Sequence, residues 1–473
     1  MRKNRLSARL KALVLPILGI TTIAFTSCAQ DGYDDDERWS SGVNNTALAS
    51  PDADSIKIIP SADGSKTNIS WPVVYGAKGY KCYVTDITPN GDTLVVADSL
   101  IDGCSMNVAR EEDLDYTVSI KTIGNETLGN TDAAEASVKK FNTFTKTYAT
   151  IPDGTDLSDY FNTNPIPADS TSLLCYNLEP GGKYTVNGEL DLQNHNITIR
   201  TSVPTNHATI TYGASGKIKT AAGLNLKYTD FDMTNCTNRL IEMDDNAGNY
   251  ITANADGLFL MTDPVTINSC NITGLSNSLF YSSVNYAIKT FIVKNCKVHC
   301  NTVPGVKTTF IYCKGGFIND LTVQNSTFWD ENTTNGGFFA QINGGPSKNA
   351  GWLNGGSATY QSCTFYNIVN TGKLGNYNMM KRVYTFTLSK CIFVNCSSGT
   401  TARRFVDQQK STTNTFSLNT YWYNGTAESS TDYDKSGSQI DEDPQFADPA
   451  NGDFTPKNAK QISAKTGDPR WLK

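Results

Sequence analysis

The sequence predicts an all-β chain: a small domain of short alternating strands, followed by a long parallel β-solenoid. Three observations predict it. A six-residue phrase recurs through the second half, apolar-alternating runs separated by Gly, Pro, Asn and Asp turns fill residues 53–144, and no sustained helical heptads appear in 473 residues.

The phrase is clearest as INSCNI (Ile267–Ile272), VKNCKV (Val293–Val298), VQNSTF (Val323–Phe328), YQSCTF (Tyr360–Phe365) and LSKCIF (Leu388–Phe393). Looser copies start at Tyr228 and Leu418, so the seven starts lie 39, 26, 30, 37, 28 and 30 residues apart. Strands of constant length joined by variable loops give such spacing, one strand-bearing turn per repeat. The third position favours Asn, Ser or Asp, whose short side chains satisfy backbone groups at a bend. Stacked coils would align Cys270, Cys296, Cys363 and Cys391, and the rings of Phe328, Phe365, Phe393 and Tyr423, as ladders along one core. A second strand follows each of the first six copies by 11 to 18 residues, at Arg239–Glu242, Ser278–Tyr281, Thr309–Tyr312, Gly337–Ala340, Asn378–Lys381 and Arg404–Asp407. Each coil therefore carries at least two sheets. The long loops 244–263 and 341–357 leave after this second strand and are the natural walls of a binding cleft.

Residues 1–27 stand outside the fold. Arg2, Lys3, Arg5, Arg9 and Lys11 precede an apolar segment too short for a comfortable membrane span, and Thr26-Ser27-Cys28 forms a small-residue cleavage site. This arrangement resembles a bacterial lipoprotein signal, in which Cys28 is acylated. The acidic, flexible tether 28–52 resembles the signal that sends Bacteroidetes lipoproteins to the outer face of the outer membrane. The resemblance implies a lipid-anchored protein exposed on the cell surface. Removing the peptide takes five positive charges from a chain of net charge −6, leaving −11, so nucleic acid is disfavoured as a partner.

In residues 53–144, alternating runs such as Ile56–Ile58, Asn68–Trp71, Tyr80–Val84, Thr93–Val96 and Tyr116–Ile120, with a turn at Pro89–Asp92, predict about seven short strands in two packed layers. Trp71 in the second strand and Leu114-Asp115-Tyr116 entering the sixth resemble a fibronectin type III β-sandwich, with Tyr116 as its corner tyrosine. That resemblance implies a spacer.

The segment 145–473 opens with Asp156–Phe161, a short amphipathic helix begun by an Asp cap and suited to covering the open end of a coil. The string Leu173–Leu178, Glu179–Tyr184, Leu190–Leu192 and Asn196–Arg200, with its Pro-Gly-x-Tyr turn and Ile-Thr-Ile strand, resembles the first coils of pectate-lyase-like right-handed parallel β-helix proteins (the pectin-lyase-like solenoid). Asp443–Phe454 is similar to the closing segment of many proteins of that fold, and Gly467–Trp471 ends the chain as in Bacteroidetes lipoproteins of this architecture. The resemblance is specific for fold and silent on activity, because the fold hosts lyases, hydrolases, epimerases and binders.

The chemistry is sparse. Eleven Cys besides Cys28, without paired CxxC clusters, argue against a disulfide framework or a zinc site; Cys82 with Cys104 is the one plausible bridge. The sole Asn-Thr-Asp lies at Asn130–Asp132, outside the solenoid, and Gly-His-Gly is absent, which disfavours a galacturonan hydrolase. The Arg-x-Pro-x-x-Arg motif of pectate lyases is absent too, so an alternative role as a uronan lyase would rest on the basic pairs Lys381-Arg382 and Arg403-Arg404 as catalytic groups. A Ca²⁺ would need Asp230, Asp232, Glu242, Asp244 and Asp245 to converge. His195, His207 and His299 share no ligand spacing. Sugars pack their C–H faces on aromatic rings flanked by amides and acids, and Trp329, Trp352, Trp422 and Tyr377 are the candidate glycan-binding residues. Trp329 and Trp422 should point outward by strand alternation.

The expectation is a non-catalytic cell-surface glycan-binding lipoprotein of a polysaccharide-utilisation system, without a required cofactor or metal. Its partners would be a poly- or oligosaccharide, the membrane and an outer-membrane glycan transporter complex. Uronan lyase and structural stalk or adhesin are the alternatives.

Overall fold

A computed structural model of the chain describes residues 42–61, 66–87, 93–168, 170, 172–343, 355–377, 384–406, 413–428 and 433–472. The fold is all-β, and the described residues form two compact units that divide between Phe144 and Thr145. Cys28, the segment 1–27, most of the tether and the Pro89–Asp92 turn lie outside the described residues. Among the described residues no helix is long and apolar enough to cross a membrane.

The first unit has two antiparallel sheets, of three and four strands, that share one core. Buried and exposed residues alternate along Ala77–Ile87 and Asp115–Gly124, which puts Cys82, Val84, Tyr116, Val118 and Ile120 inside with Ile56, Ile69 and Trp71. Trp71 packs edge-on against Tyr80. The Tyr116 hydroxyl accepts from the Glu111 N–H at 2.9 Å, tying the end of one connection to the next strand. Cys82 and Cys104, the one pair whose neighbourhood allowed a bridge, are free thiols. Burial pushes the Cys82 thiol up to about 12, while Cys104 Sγ sits 3.9 Å from the Tyr80 hydroxyl.

In the second unit the chain visits three sheets in turn, of eleven, ten and seven strands. Successive visits pair in parallel and in register, as where Leu226 faces Ile267 and Ile267 faces Val293. This arrangement is compatible with a β-helix. The helix Leu157–Thr163 precedes the first coil. Asp156 caps it, accepting from the Asp159 N–H at 3.1 Å, and Leu157 and Phe161 drop into the core.

The recurring phrase is a corner and not one strand. Its first two residues end a strand of the eleven-stranded sheet, and its last two begin a strand of the ten-stranded sheet, as in Val265–Asn268 and Asn271–Leu275. The third residue makes the turn: Ser269, Asn295, Asn325, Ser362 and Lys390 all have φ between 48° and 56°, the left-handed region that short polar residues tolerate best. The fourth residue points inward. The Cys270, Cys296, Cys363 and Cys391 thiols donate to the carbonyls two residues back at 3.1–3.4 Å, and Ser326 does the same at 2.7 Å. Cysteine recurs there because it is small and apolar yet carries a weak donor for a buried carbonyl.

Register corrects the looser copies by two residues. Leu226, not Tyr228, pairs with Ile267, and Phe416, not Leu418, pairs with Leu388. Tyr228 and Leu418 are themselves the positive-φ corners. The ring ladder is therefore Phe328, Phe365, Phe393 and Tyr421, stacked at 5.0–5.8 Å and within 8° of parallel, with Tyr421 in place of the expected Tyr423. The strand expected at Arg404–Asp407 is instead the short helix Arg403–Val406, and that expected at Asn378–Lys381 falls outside the described residues. The seven-stranded sheet ends at Lys373–Asn376.

Beyond the last coil the chain folds back over the ten-stranded sheet. Thr327 donates to Asp468 at 2.8 Å, the Asp468 N–H donates to Thr364 at 3.1 Å, and the Trp471 indole donates to Thr327 at 2.8 Å. Phe454 is fully buried beneath this strap.

Glu428 helps to close the last coil, accepting from the Thr401 N–H at 3.0 Å and hydroxyl at 2.9 Å. Burial pushes its carboxyl up to about 7 from 4.5. The folded state therefore keeps this proton up to neutral pH, while the unfolded chain releases it near 4.5, so stability falls as pH rises through that window, by about 3 kcal/mol. Glu428→Gln, which reproduces the protonated group, should remove that loss. Urea unfolding at both ends of the window should show the variant gaining on the parent by about 3 kcal/mol; parallel pH profiles would refute the assignment.

Candidate functional site

Alternation along each short strand of the seven-stranded sheet sends one residue in and the next out. Leu190, Ile218, Ile241, Phe280, Ile311, Ala340 and Gly375 pair in register and face the core. The next positions form an outward row: Asp191, Lys219, Glu242, Tyr281, Tyr312, Gln341 and Asn376. All seven are half-buried. Adjacent members are about 4.8 Å apart along the stack.

The middle of the row is aromatic and densely hydrogen-bonded. Tyr281 and Tyr312 meet edge to face at 5.5 Å. Arg239 lies over the Tyr281 ring at 3.8 Å and is held by Glu242 at 2.6 Å. The Arg239 Nε is buried without a hydrogen-bond partner among the described residues, an unspent donor inside the site. Beyond Tyr312, Gln341 donates to Asn343 at 3.0 Å, and the Asn343 amide reaches the Tyr312 hydroxyl at 3.5 Å. Two rings, one guanidinium, one carboxylate and two amides thus line one strip.

The two ends of the row differ in charge. At the start, Glu189 pairs with Lys217 at 2.6 Å, and Lys219 lies 3.3 Å from both Glu189 and Asp244. Burial, with the neighbouring Asp244 charge, holds the Asp191 carboxyl above its ordinary value. Burial alone would lower the Lys219 ammonium, but Asp244 and Glu189 raise it. At the far end the helix Arg403–Val406 packs on the strand Lys373–Asn376, and the charge of Arg404, then burial and the charges of Arg403 and Lys307, press the Lys373 ammonium below its ordinary value.

The sequence-predicted aromatics are not brought together. Trp329 does face outward, in one row with Tyr366 and Trp422 on the ten-stranded sheet, but the strap covers it. His299 stacks on it at 4.8 Å, Phe454 packs at 5.6 Å, and Gly452 comes so close that an added Cβ would lie 3.4 Å from the ring. Trp422 is half-buried three strand steps away, roughly 14 Å. Tyr377 is fully buried, its hydroxyl 2.7 Å from that of Tyr360; it is core, because the strand before it ends one residue earlier and turns it inward. Trp352, Lys381 and Arg382 lie outside the described residues.

The five acids divide between sheets. Asp230 and Asp232 sit on the ten-stranded sheet, and Glu242, Asp244 and Asp245 at the seven-stranded one. Burial pushes the Asp230 carboxyl up, but hydrogen bonds from His207 at 2.8 Å and Asn271 at 2.7 Å bring it below its ordinary value. Loop 244–263 lays Ala247, Leu258 and Met261 onto the core and adds the strand Phe259–Met261 beside Tyr286–Ile288. A separate open groove of about 430 Å³ near the last coil is lined by Val406, Asn414, Phe416, Tyr433 and Lys435 among others.

Three domain families match the chain. DUF4992 covers residues 1–178, DUF4957 covers 182–331 and DUF5123 covers 358–471, each described as a domain of unknown function. The first crosses the division between the two compact units and takes in the opening strands of the second. No curated protein and no solved structure matches the chain.

Burial under the strap makes Trp329 a stability residue. Trp329→Ala should lower the urea unfolding free energy by about 2–4 kcal/mol. A folded variant of unchanged stability would reverse this assignment.

Proposed function

We propose that this protein is a non-catalytic glycan-binding protein of the bacterial cell surface, and that a carbohydrate chain lies along the outward row of the seven-stranded sheet. The observation that carries this reading is the strip Arg239, Glu242, Tyr281, Tyr312, Gln341 and Asn343. It combines an accessible ring with amide, guanidinium and carboxylate groups at successive strand steps. A pyranose offers an apolar C–H face and a rim of hydroxyls, and such a strip answers both. Tyr312 is the stacking platform, since Arg239 already occupies one face of Tyr281.

On this reading the three-sheet unit is a right-handed, pectate-lyase-like β-helix. The first unit is a fibronectin type III-like spacer, and acylated Cys28 anchors the chain to the outer membrane, beside a glycan transporter complex of a polysaccharide-utilisation system. The short hydroxyl bond of Tyr116 to the Glu111 backbone supports the spacer assignment.

Affinity electrophoresis and calorimetry against a panel of polysaccharides test the proposal, with ultraviolet detection of unsaturated uronate products in parallel. Tyr312→Ala should weaken binding at least about tenfold without changing the unfolding midpoint by more than a surface substitution does. Unsaturated products would overturn the non-catalytic reading in favour of a lyase. Unaltered binding by Tyr312→Ala would move the site elsewhere.

A further inference from the structure

The outward row is polar in the electrical sense, and this bears on which glycan fits it. At its start every cation is engaged by an acid: Lys217 by Glu189, Lys219 by Glu189 and Asp244, and Arg239 by Glu242. Asp191 and Asp245 add further carboxylates there, Asp245 held by the Ser283 hydroxyl. Along the side where the strands of the Tyr312 coil and of the two coils after it begin, the arrangement is reversed. Lys373 pairs with Phe338 of the preceding strand, its ammonium 5.8 Å from the Phe338 ring. The stem of Lys307 lies against Gly336, within 4 Å of where a Cβ would stand. Both lysines are exposed, and neither forms an ion pair among the described residues. The helix that replaces the last strand of this sheet adds Arg403 and Arg404 beside Lys373, and the charge of Arg404, with burial and the charges of Arg403 and Lys307, depresses the Lys373 ammonium. Two strand steps from Tyr312 the register reaches Asn376, and Lys373 lies three residues before it, so the two are offset by roughly 10 Å along the stack and roughly 10 Å along the strand.

Resting on the glycan-binding reading above, we infer that the ligand is an anionic heteropolysaccharide in which charged and neutral sugars alternate: a neutral sugar stacks on Tyr312, and a carboxylate or sulfate meets Lys307 and Lys373. A neutral polymer leaves those cations unanswered. A homopolyuronate long enough to fill the row sets its carboxylates against Asp191, Glu242 and Asp244, where like charges repel.

The test presents three probes to the full chain: a neutral hexose polymer, a homopolyuronate and an alternating uronate–N-acetylhexosamine copolymer. Affinities are measured by calorimetry at two salt concentrations. The copolymer should bind tightest, and its affinity should fall with added salt. Lys307→Gln with Lys373→Gln, at exposed positions without ion pairs among the described residues, should cost the copolymer about tenfold while leaving binding of the neutral polymer unchanged. Equal or tighter binding of the homopolyuronate, or a copolymer affinity indifferent to the double substitution, overturns the inference and leaves glycan binding standing. Failure of all three probes to bind the folded chain overturns both.

Discussion

Seven successive coils each depend on one residue held in the left-handed region. That residue ends a strand of the eleven-stranded sheet and starts one of the ten-stranded sheet, and it recurs at 228, 269, 295, 325, 362, 390 and 418. Because neighbouring strands pair in register, a corner in one coil forces a corner at the same height in the next. Asn and Ser accept this conformation at small cost, but Tyr228, Lys390 and Leu418 carry a penalty of about 1–2 kcal/mol. Stacked neighbours offset it: beside the Lys390 corner, Asn419 accepts from the Cys391 N–H at 3.0 Å and donates to the Leu388 carbonyl at 2.9 Å. The corner also dictates the residue after it. Only a small side chain with a donor fits the inward position there, which explains Cys, Ser and Asn better than any redox or metal role.

Once the corners are set, the outer faces of the sheets take on different work. The ten-stranded sheet carries His299, Trp329 and Tyr366, a row that alternation alone would present to solvent. The strap from Phe446 to Trp471 covers it instead, through Phe454 and the buried carboxylate of Asp468. Burial pushes that carboxyl up against the opposing charge of Arg470, and hydrogen bonds from Thr327 and the Arg470 N–H satisfy it. A buried charge with this many partners fixes one arrangement more than it adds stability. Among the described residues the seven-stranded sheet has no such cover over Tyr281 and Tyr312, and its strands, three to five residues long, leave loops free to differ from coil to coil.

Much of this is legible in the residues. The phrase from Ile267 to Phe393 marks the coil, and its short polar third residue marks a bend. Its looser copies fall two residues out of register because Tyr228 and Leu418 break the polar rule while keeping the backbone conformation, and φ leaves no trace in side-chain type there. The aromatic expectations fail for a different reason. Trp329 obeys alternation, but its cover comes from residues more than a hundred positions later, a contact no local pattern encodes. Tyr281 and Tyr312 carry a usable signal, a Tyr in the second strand of two successive coils. Reading it requires the register that aligns them with Gln341, and this the variable loops conceal.

The same variability explains why charge segregates along the seven-stranded sheet. A residue in the interior of a stack has neighbours of its own kind one step either side, so like charges repeated in a row repel at about 4.8 Å. The start of the row resolves this by interleaving Lys217 and Lys219 with Glu189, Asp191 and Asp244. At its end the stack stops: the helix Arg403–Val406 takes the place of the next strand. Lys373 is not forced there into a row with an alternating partner, and with Lys307 two coils earlier it keeps a charge that no acid of the described coils neutralises. The edge of a repeat is thus where a charged site arises at least cost, and here that edge adjoins the aromatic and amide strip that the strap leaves uncovered.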